Sequence, residues 1–409
     1  MSGSRAGLVG SAPDTPHRVV VVGASLAGLR AAEGLRAEGF DGELVVVGDE
    51  ERLPYDRPPL SKELLQGRME TEETELRPPI DGLGAELRLG CRAERLDLDR
   101  REVVLRGGER VAFDGLVIAT GAAPRTLPGT HEMPGVFVLR TLDDALELRA
   151  ELDEEPRVVV VGAGFIGSEV AASCRARGLD VTVLEALAVP LVNALGAEMG
   201  AAVSAVHLDH DVDLRCGVGV VGFEGTARVE GVGLSDGTVV PADVVVVGIG
   251  VAPVTGWLEG SGLELANGVV CDSTCATAAP GVVAAGDVAR WHNPLFDEHM
   301  RVEHWDNANQ QGRAAARTLL GSTEAFAPVP YFWSDQYDRK IQFVGRAAPY
   351  DEVAVVNGTV EERAFVAIYR RDDRIVGALS MNRPRLLMGY RSLIAERATW
   401  ARAVEKAAE

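Results

Sequence analysis

Between residues 157 and 169 the chain reads RVVVVGAGFIGSE, and no other stretch narrows the possible folds as far. Val158, Val159, Val160 and Val161 follow one another without a polar residue. β-Branched side chains on both faces suit a strand buried on both sides, the environment of a parallel sheet. The run passes directly into Gly162, Gly164 and Gly167. In a βαβ unit the first glycine makes the tight turn, the second lets a pyrophosphate approach the backbone, and the third lets helix and strand pack closely. Residues 169–177 read as the helix, whose N-terminus offers free N–H groups and partial positive charge to a phosphate. A second strand over residues 181–184 ends at Glu185, an acid placed to accept hydrogen bonds from a ribose 2′-OH.

The same device occurs earlier, as RVVVVGASLAG at residues 18–28. Here Gly23, Ser25 and Gly28 hold the loop positions, and a helix is expected to about Glu38. Ser25 is small, so it alters the approach to a pyrophosphate without abolishing the site. A strand over residues 44–47 leads to Asp49 and Glu50, either of which can hold a ribose. Two dinucleotide units in one chain suggest one nucleotide held permanently and one that exchanges. A flavin and a nicotinamide coenzyme are the usual pair, because hydride passes directly between them. The repetition continues: LVIATG at residues 116–121 is echoed by VVVVGIG at 244–250. The fold class is therefore α/β, a duplicated Rossmann-like nucleotide-binding domain. VVAAGDV at residues 282–288 is a third strand-and-turn device, with Asp287 placed to bind a polyol. PYDRPPLSK at residues 54–62 cannot be regular helix at its prolines, and reads as a fixed loop presenting Arg57 and Lys62. Beyond residue 327 come strands over 341–344, 364–369 and 375–379, then a helix over 384–405. That pattern describes a separate C-terminal α+β domain of a size that folds alone.

Charge and cysteine usage narrow the function. A net charge of −20 argues against nucleic acid and anionic membranes as partners, and no apolar run reaches the length of a membrane span. Residues 1–16 lack an apolar core, so they read as a flexible extension and not as a signal peptide. Cys91, Cys174, Cys216, Cys271 and Cys275 form no disulfide or zinc pattern, which fits a reduced cytoplasm. His207 and His210 have no third ligand nearby in sequence; they read as solvated helix positions, and no metal is expected.

Taken together, GASLAG at Gly23, PYDRPPLSK at Pro54, ATG at Ala119, GAGFIGSE at Gly162, AAGDV at Ala284, RVEHWDNANQQG at Arg301 and YFWSDQYDRKIQ at Tyr331 resemble one family. It is that of the FAD-dependent ferredoxin and rubredoxin reductases of bacterial oxygenase systems, glutathione-reductase-like flavoproteins related to apoptosis-inducing factor. The resemblance implies FAD on the first unit, along Gly23, Ser25, Leu26, Ala27 and Gly28, with Asp49 at the adenosine ribose. It adds Ala93, Ala119, Thr120, Gly121 and Val288 to the cofactor-binding residues, with Arg57 and Arg140 near the phosphates or adenine and Asp287 at the ribityl chain. Lys62 is implied beside flavin N5 with Glu169 as its ion-pair partner, and Trp305 and Trp333 beside the isoalloxazine. NADH is implied along Gly162, Gly164, Phe165, Ile166 and Gly167, with Glu185 and Gly250. The implied domains are 17–122 with 250–326 for FAD, 123–249 for NAD, and 327–409 at the C-terminus.

One departure narrows the chemistry. Dithiol members of the superfamily relay electrons through a close cysteine pair beside the flavin, and both thiols are required. Here the closest pair is Cys271 and Cys275, just before AAGDV, and the stretch after the second strand carries no cysteine. Disulfide reduction is therefore disfavoured. The resemblance implies instead a reductase that takes hydride from NADH and passes single electrons to an iron–sulfur ferredoxin or rubredoxin serving a cytochrome P450 or Rieske oxygenase. The alternatives are a stand-alone NADH oxidase or quinone-type reductase, and an NADH-sensing flavoprotein on the model of apoptosis-inducing factor.

Overall fold

The computed structural model describes residues 16–77, 80–349 and 351–408; all of the expected N-terminal extension except Pro16 lies outside them. The first valine run forms the centre of a five-stranded parallel sheet. Its order is Val282–Ala284, Gly115–Ile118, Arg18–Val22, Glu43–Val47, Glu86–Arg88. Val19, Val20 and Val21 are fully buried, as a strand covered on both faces requires. The helix Leu26–Ala37 packs closely against Trp305–Leu319. A Cβ on Gly312 would come 2.4 Å from the Ala27 carbonyl oxygen, so only glycine lets these helices approach so far.

The second valine run repeats the arrangement. Strands Asp213–Cys216, Val181–Glu185, Val158–Val161, Val244–Val247 and Val136–Phe137 lie parallel in that order. The following helix is Phe165–Ala176, and so starts ahead of the expected Glu169. Gly164 is still extended (φ −73°, ψ 179°) and acts as the N-cap, so helical geometry begins at the next residue.

The C-terminal sheet is antiparallel, in the order Tyr331–Gln336, Arg339–Gly345, Arg374–Met381, Ala364–Arg371, Glu352–Thr359. Side chains alternate across it. Val344, Val366, Ile368 and Ala378 pack under the helix Pro384–Ala395. Ile341, Phe343, Phe365, Ala367, Tyr369 and Leu379 pack against Leu195, Met199, Val203 and Val206 of the helix Val192–Leu208, which belongs to the second nucleotide unit. The Tyr369 hydroxyl donates to the Leu195 carbonyl at 2.9 Å. The helix expected over 384–405 is two, Pro384–Ala395 and Trp400–Glu405. Arg397 takes the left-handed conformation (φ 53°), which ends the first, and Thr399 caps the second.

Candidate active site

A cleft of about 1180 Å³ runs between the two nucleotide units and under the C-terminal sheet. Both glycine loops open onto it. Gly23 (φ +119°) and Gly162 (φ +102°) hold conformations that L side chains rarely adopt. Cβ atoms on Gly28 and Gly167 would lie 1.8 and 2.0 Å from the carbonyl oxygens of Gly23 and Gly162. These glycines serve helix-to-loop packing. The middle position differs: a Cβ on Gly164 would meet nothing within 4 Å, and Ser25 sits at φ −104° without strain. That is why serine can replace glycine there. Neither loop residue caps its helix through a side chain, so among the described residues the first N–H groups of both helices have no side-chain cap. Two uncapped helix N-termini on one elongated cleft fit a dinucleotide at each end.

The sequence-derived residues mostly converge here. Ser25, Leu26, Ala27, Asp49, Arg57, Lys62, Ala93, Ala119, Thr120, Gly121, Arg140, Asp287, Trp305 and Trp333 line the cleft, with Gly164, Phe165, Ile166, Glu169 and Gly250 on the side of the second unit. Gly28, Gly162, Val288 and Glu185 do not. Val288 is fully buried beneath the wall. Glu185 lies at the end of its strand, where its carboxylate accepts from the Ala163 N–H at 2.9 Å and the Leu187 N–H at 2.8 Å. Asp49 is exposed and lies 3.7 Å from Arg92, whereas Glu50 pairs with Arg57 at 2.7 Å and accepts from the Tyr55 hydroxyl. Arg140 pairs with Asp287 at 2.8 Å.

The innermost polar group is an ion pair. Lys62 Nζ donates to Glu169 Oε2 at 2.8 Å, and both side chains are under 10% exposed. The proline-rich loop turns through a short 3-10 segment, Pro58–Ser61, and points Lys62 across the boundary between the units. Ser61 Oγ donates to the same carboxylate oxygen at 2.5 Å, and Ser334 Oγ to Oε1 at 2.7 Å. An ionised carboxylate only accepts hydrogen bonds, and here three donors surround one. At the mouth, the Trp305 indole N–H donates to Asp56 at 2.6 Å. Trp305 and Trp333 meet edge to face at 6.1 Å between ring centroids. Deeper in, Phe332 contacts Phe165 and His304 at 4.6 and 4.9 Å.

Sequence reasoning missed Ser61, Ser334, Asp56, His304 and Phe332, all inside motifs quoted above. Period-two alternation along Tyr331–Gln336 was the available signal: it sends Phe332, Ser334 and Gln336 to the face opposite Trp333. His207 is a correction. It is 1% exposed, not solvated, with Nε2 3.1 Å from Ser168 Oγ and Nδ1 2.7 Å from the Tyr337 hydroxyl. Helix periodicity could not reveal that the hairpin carrying Tyr337 covers it. Burial pushes its pKa down to about 4. His210 is partly exposed and stacks on Tyr337 at 4.0 Å. Burial also pushes the Cys275 thiol up to about 12 and that of Cys271 well above its usual value, so neither offers a nucleophilic thiolate at neutral pH.

The sequence and the architecture have close counterparts. Rhodocoxin reductase of Rhodococcus erythropolis is 39% identical over 382 residues, 92% of this chain and 89% of its own. Putidaredoxin reductase CamA of Pseudomonas putida is 37% identical over 375 residues, covering 90% and 89%. The crystal structure of the covalent putidaredoxin reductase–putidaredoxin complex superposes with a TM-score of 0.89 at 36% identity, covering 93% of both chains. Residues 17–312 match the pyridine nucleotide-disulphide oxidoreductase family and residues 331–407 the reductase C-terminal family. The duplicated nucleotide unit and the C-terminal domain that follows it are thus those of a known lineage: this chain belongs to the pyridine nucleotide-disulphide oxidoreductases that carry a reductase C-terminal domain.

Proposed function

We propose that this chain is an FAD-containing, NADH-dependent reductase that feeds single electrons to an iron–sulfur ferredoxin or rubredoxin, and through it a cytochrome P450 or Rieske oxygenase, in the cytoplasm. The observation that carries the reading is the buried Lys62–Glu169 pair on the cleft between the two glycine loops. Bound FAD accepts a hydride from NADH and returns the two electrons one at a time. The protein supplies position and electrostatics. Gly23, Ser25 and the free N–H groups of Leu26–Ala37 would hold the FAD pyrophosphate, with Asp49 or Glu50 at the adenosine ribose and Asp287 at the ribityl chain. Gly164 and the N-terminus of Phe165–Ala176 would hold the NADH pyrophosphate, with Glu185 at its ribose. Lys62, fixed by Glu169, would place an ammonium beside the flavin ring, where a cation favours the reduced form. Trp305 and Trp333 would cover the exposed edge. No proton acceptor is obligatory for hydride transfer, so a site without a nucleophile–histidine arrangement is consistent with this chemistry.

Among the described residues no helix is long and apolar enough to cross a membrane, and the reading requires none. The test is to mix the holoenzyme with NADH and an iron–sulfur ferredoxin and follow electrons to cytochrome c. Fast ferredoxin-dependent reduction supports the reductase. Rapid oxygen uptake without any carrier would support an oxidase instead, and slow turnover of a stable NADH-bound form would support a sensor.

A further inference from the structure

Glu169 is held from three directions, and one of its partners comes from the C-terminal domain. Ser61 and Lys62 reach Oε2 from the proline-rich loop. Among the described residues Oε1 receives only Ser334 Oγ, at 2.7 Å, from the strand Tyr331–Gln336. Ser334 is fully buried. Its oxygen accepts from Gln336 Nε2 at 3.2 Å, so the single hydroxyl proton is directed to the carboxylate. The neighbouring side chain, Trp333, leaves the strand on the opposite face.

We infer that Ser334 is a positioning residue for electron transfer: by fixing the Glu169 carboxylate it sets where Lys62 stands in the cleft. The same strand thus presents Trp333 to the mouth of the cleft and a hydroxyl to the ion pair, tying the C-terminal sheet to the electrostatics of the redox site. A buried carboxylate that loses one of three donors is free to rotate toward the remaining two, and its lysine moves with it. The inference rests on the role proposed above for Lys62 and Glu169, and the experiment separates the two.

The holoenzymes of Ser334→Ala, Ser334→Thr and Glu169→Gln are compared with Ser380→Ala. Ser380 is an equally buried serine of the same sheet, whose oxygen accepts from the Arg383 N–H at 3.1 Å, away from the pair. The readouts are the midpoint potential of the bound flavin, the single-turnover rate of its reduction by NADH, and the thermal midpoint. Ser334→Ala is expected to shift the potential to a more negative value and slow hydride transfer about fivefold, a fraction of what a hydrogen bond to a charged group contributes. Ser334→Thr, which keeps the hydroxyl, should hold the parental potential, and Ser380→Ala should change the thermal midpoint alone. Should the alanine variant fail to retain FAD, Ser334→Cys, of similar size but a weaker donor, takes its place. An unchanged potential and rate in Ser334→Ala or its cysteine replacement, or an equal shift in Ser380→Ala, overturns the inference. If Glu169→Gln also leaves the potential unchanged, the role given to the ion pair itself fails.

Discussion

Trp305 and Asp56 are joined at 2.6 Å by a hydrogen bond that links the helix Trp305–Leu319 to the proline-rich loop. Burial raises the pKa of Asp56, against the opposing pull of the indole N–H and of the Lys62 charge. Replacing it by asparagine keeps an acceptor; replacing it by leucine leaves the half-buried indole N–H unpaired. Asp56→Leu is expected to lose about 1–3 kcal/mol of stability and to slow ferredoxin reduction more than NADH oxidation by a small acceptor. Asp56→Asn should lie much closer to the parent. Calorimetry with both turnover assays decides it, and equal behaviour of the two variants would show that the hydrogen bond does not hold Trp305.

Coenzyme choice follows from Glu185. Its charge opposes a 2′-phosphate, and Ala186, Leu187 and Ala188 supply no cation. The nearby Arg215 is engaged by Asp213 at 2.7 Å. NADH should be preferred in kcat/KM by about ten- to a hundredfold, the range of 1.5–3 kcal/mol for charged hydrogen bonds. Comparable values for NADPH would remove Glu185 from the ribose site.

Acid should loosen the seam around His207. Its folded pKa is pushed down to about 4 by burial, with the His210 charge acting the same way, while an unfolded histidine titrates near 6.5. The folded state therefore keeps the ring neutral where the unfolded chain takes up a proton. The contribution is complete above about pH 6.5 and is lost progressively down to about pH 4, a total on the order of 3 kcal/mol. His207→Gln should flatten the slope of thermal midpoint against pH in that window, although His304, whose pKa is likewise pushed down to about 4, leaves a residual slope. Identical slopes for variant and parent would contradict a neutral, buried ring.

The C-terminal domain is the basic part of an acidic chain. From residue 327 onward there are 13 Lys and Arg against 11 Asp and Glu. Arg383 and Arg385 are exposed and form no ion pair among the described residues, beside the exposed Leu386 and Met388. The cross-strand row Trp333, Gln342, Ser380 leads from the tryptophan to the Ser380 hydroxyl that accepts from the Arg383 N–H, so patch and tryptophan share a sheet face. An acidic carrier steered there would associate more slowly as salt rises, since charges beyond about 8 Å are screened at physiological ionic strength. Arg383→Glu with Arg385→Glu should mimic the salt effect in stopped-flow association, with reduction of a small neutral acceptor unchanged. Indifference to both salt and reversal would place docking elsewhere.

How far the sequence speaks depends on the kind of contact. Valine runs and glycine spacing announce local geometry, so both parallel sheets and both loops could be read directly from residues 18–28 and 157–169. The Lys62–Glu169 contact rested on motifs, because nothing local says that a loop of one unit meets a helix of the next. Ser334 and Asp56 stayed hidden for the same reason: their partners come from segments far apart in the chain. The error at His207 has one physical source. A helix that looks one-sided in sequence is covered on its second side by the hairpin around Tyr337, which is brought there only by tertiary packing.

The helix Val192–Leu208 serves two masters, completing the second nucleotide unit and roofing one face of the C-terminal sheet. Residues 327–409 cut free would display Phe343, Phe365, Ala367 and Leu379 as a bare apolar surface, and such surfaces aggregate. The converse truncation would leave the helix without the sheet it covers and expose Leu195, Met199 and Val203. Residues 327–409 are thus a keystone and not the detachable module that their length suggests: shortening the enzyme at either side of that seam would leave an apolar face bare on both pieces.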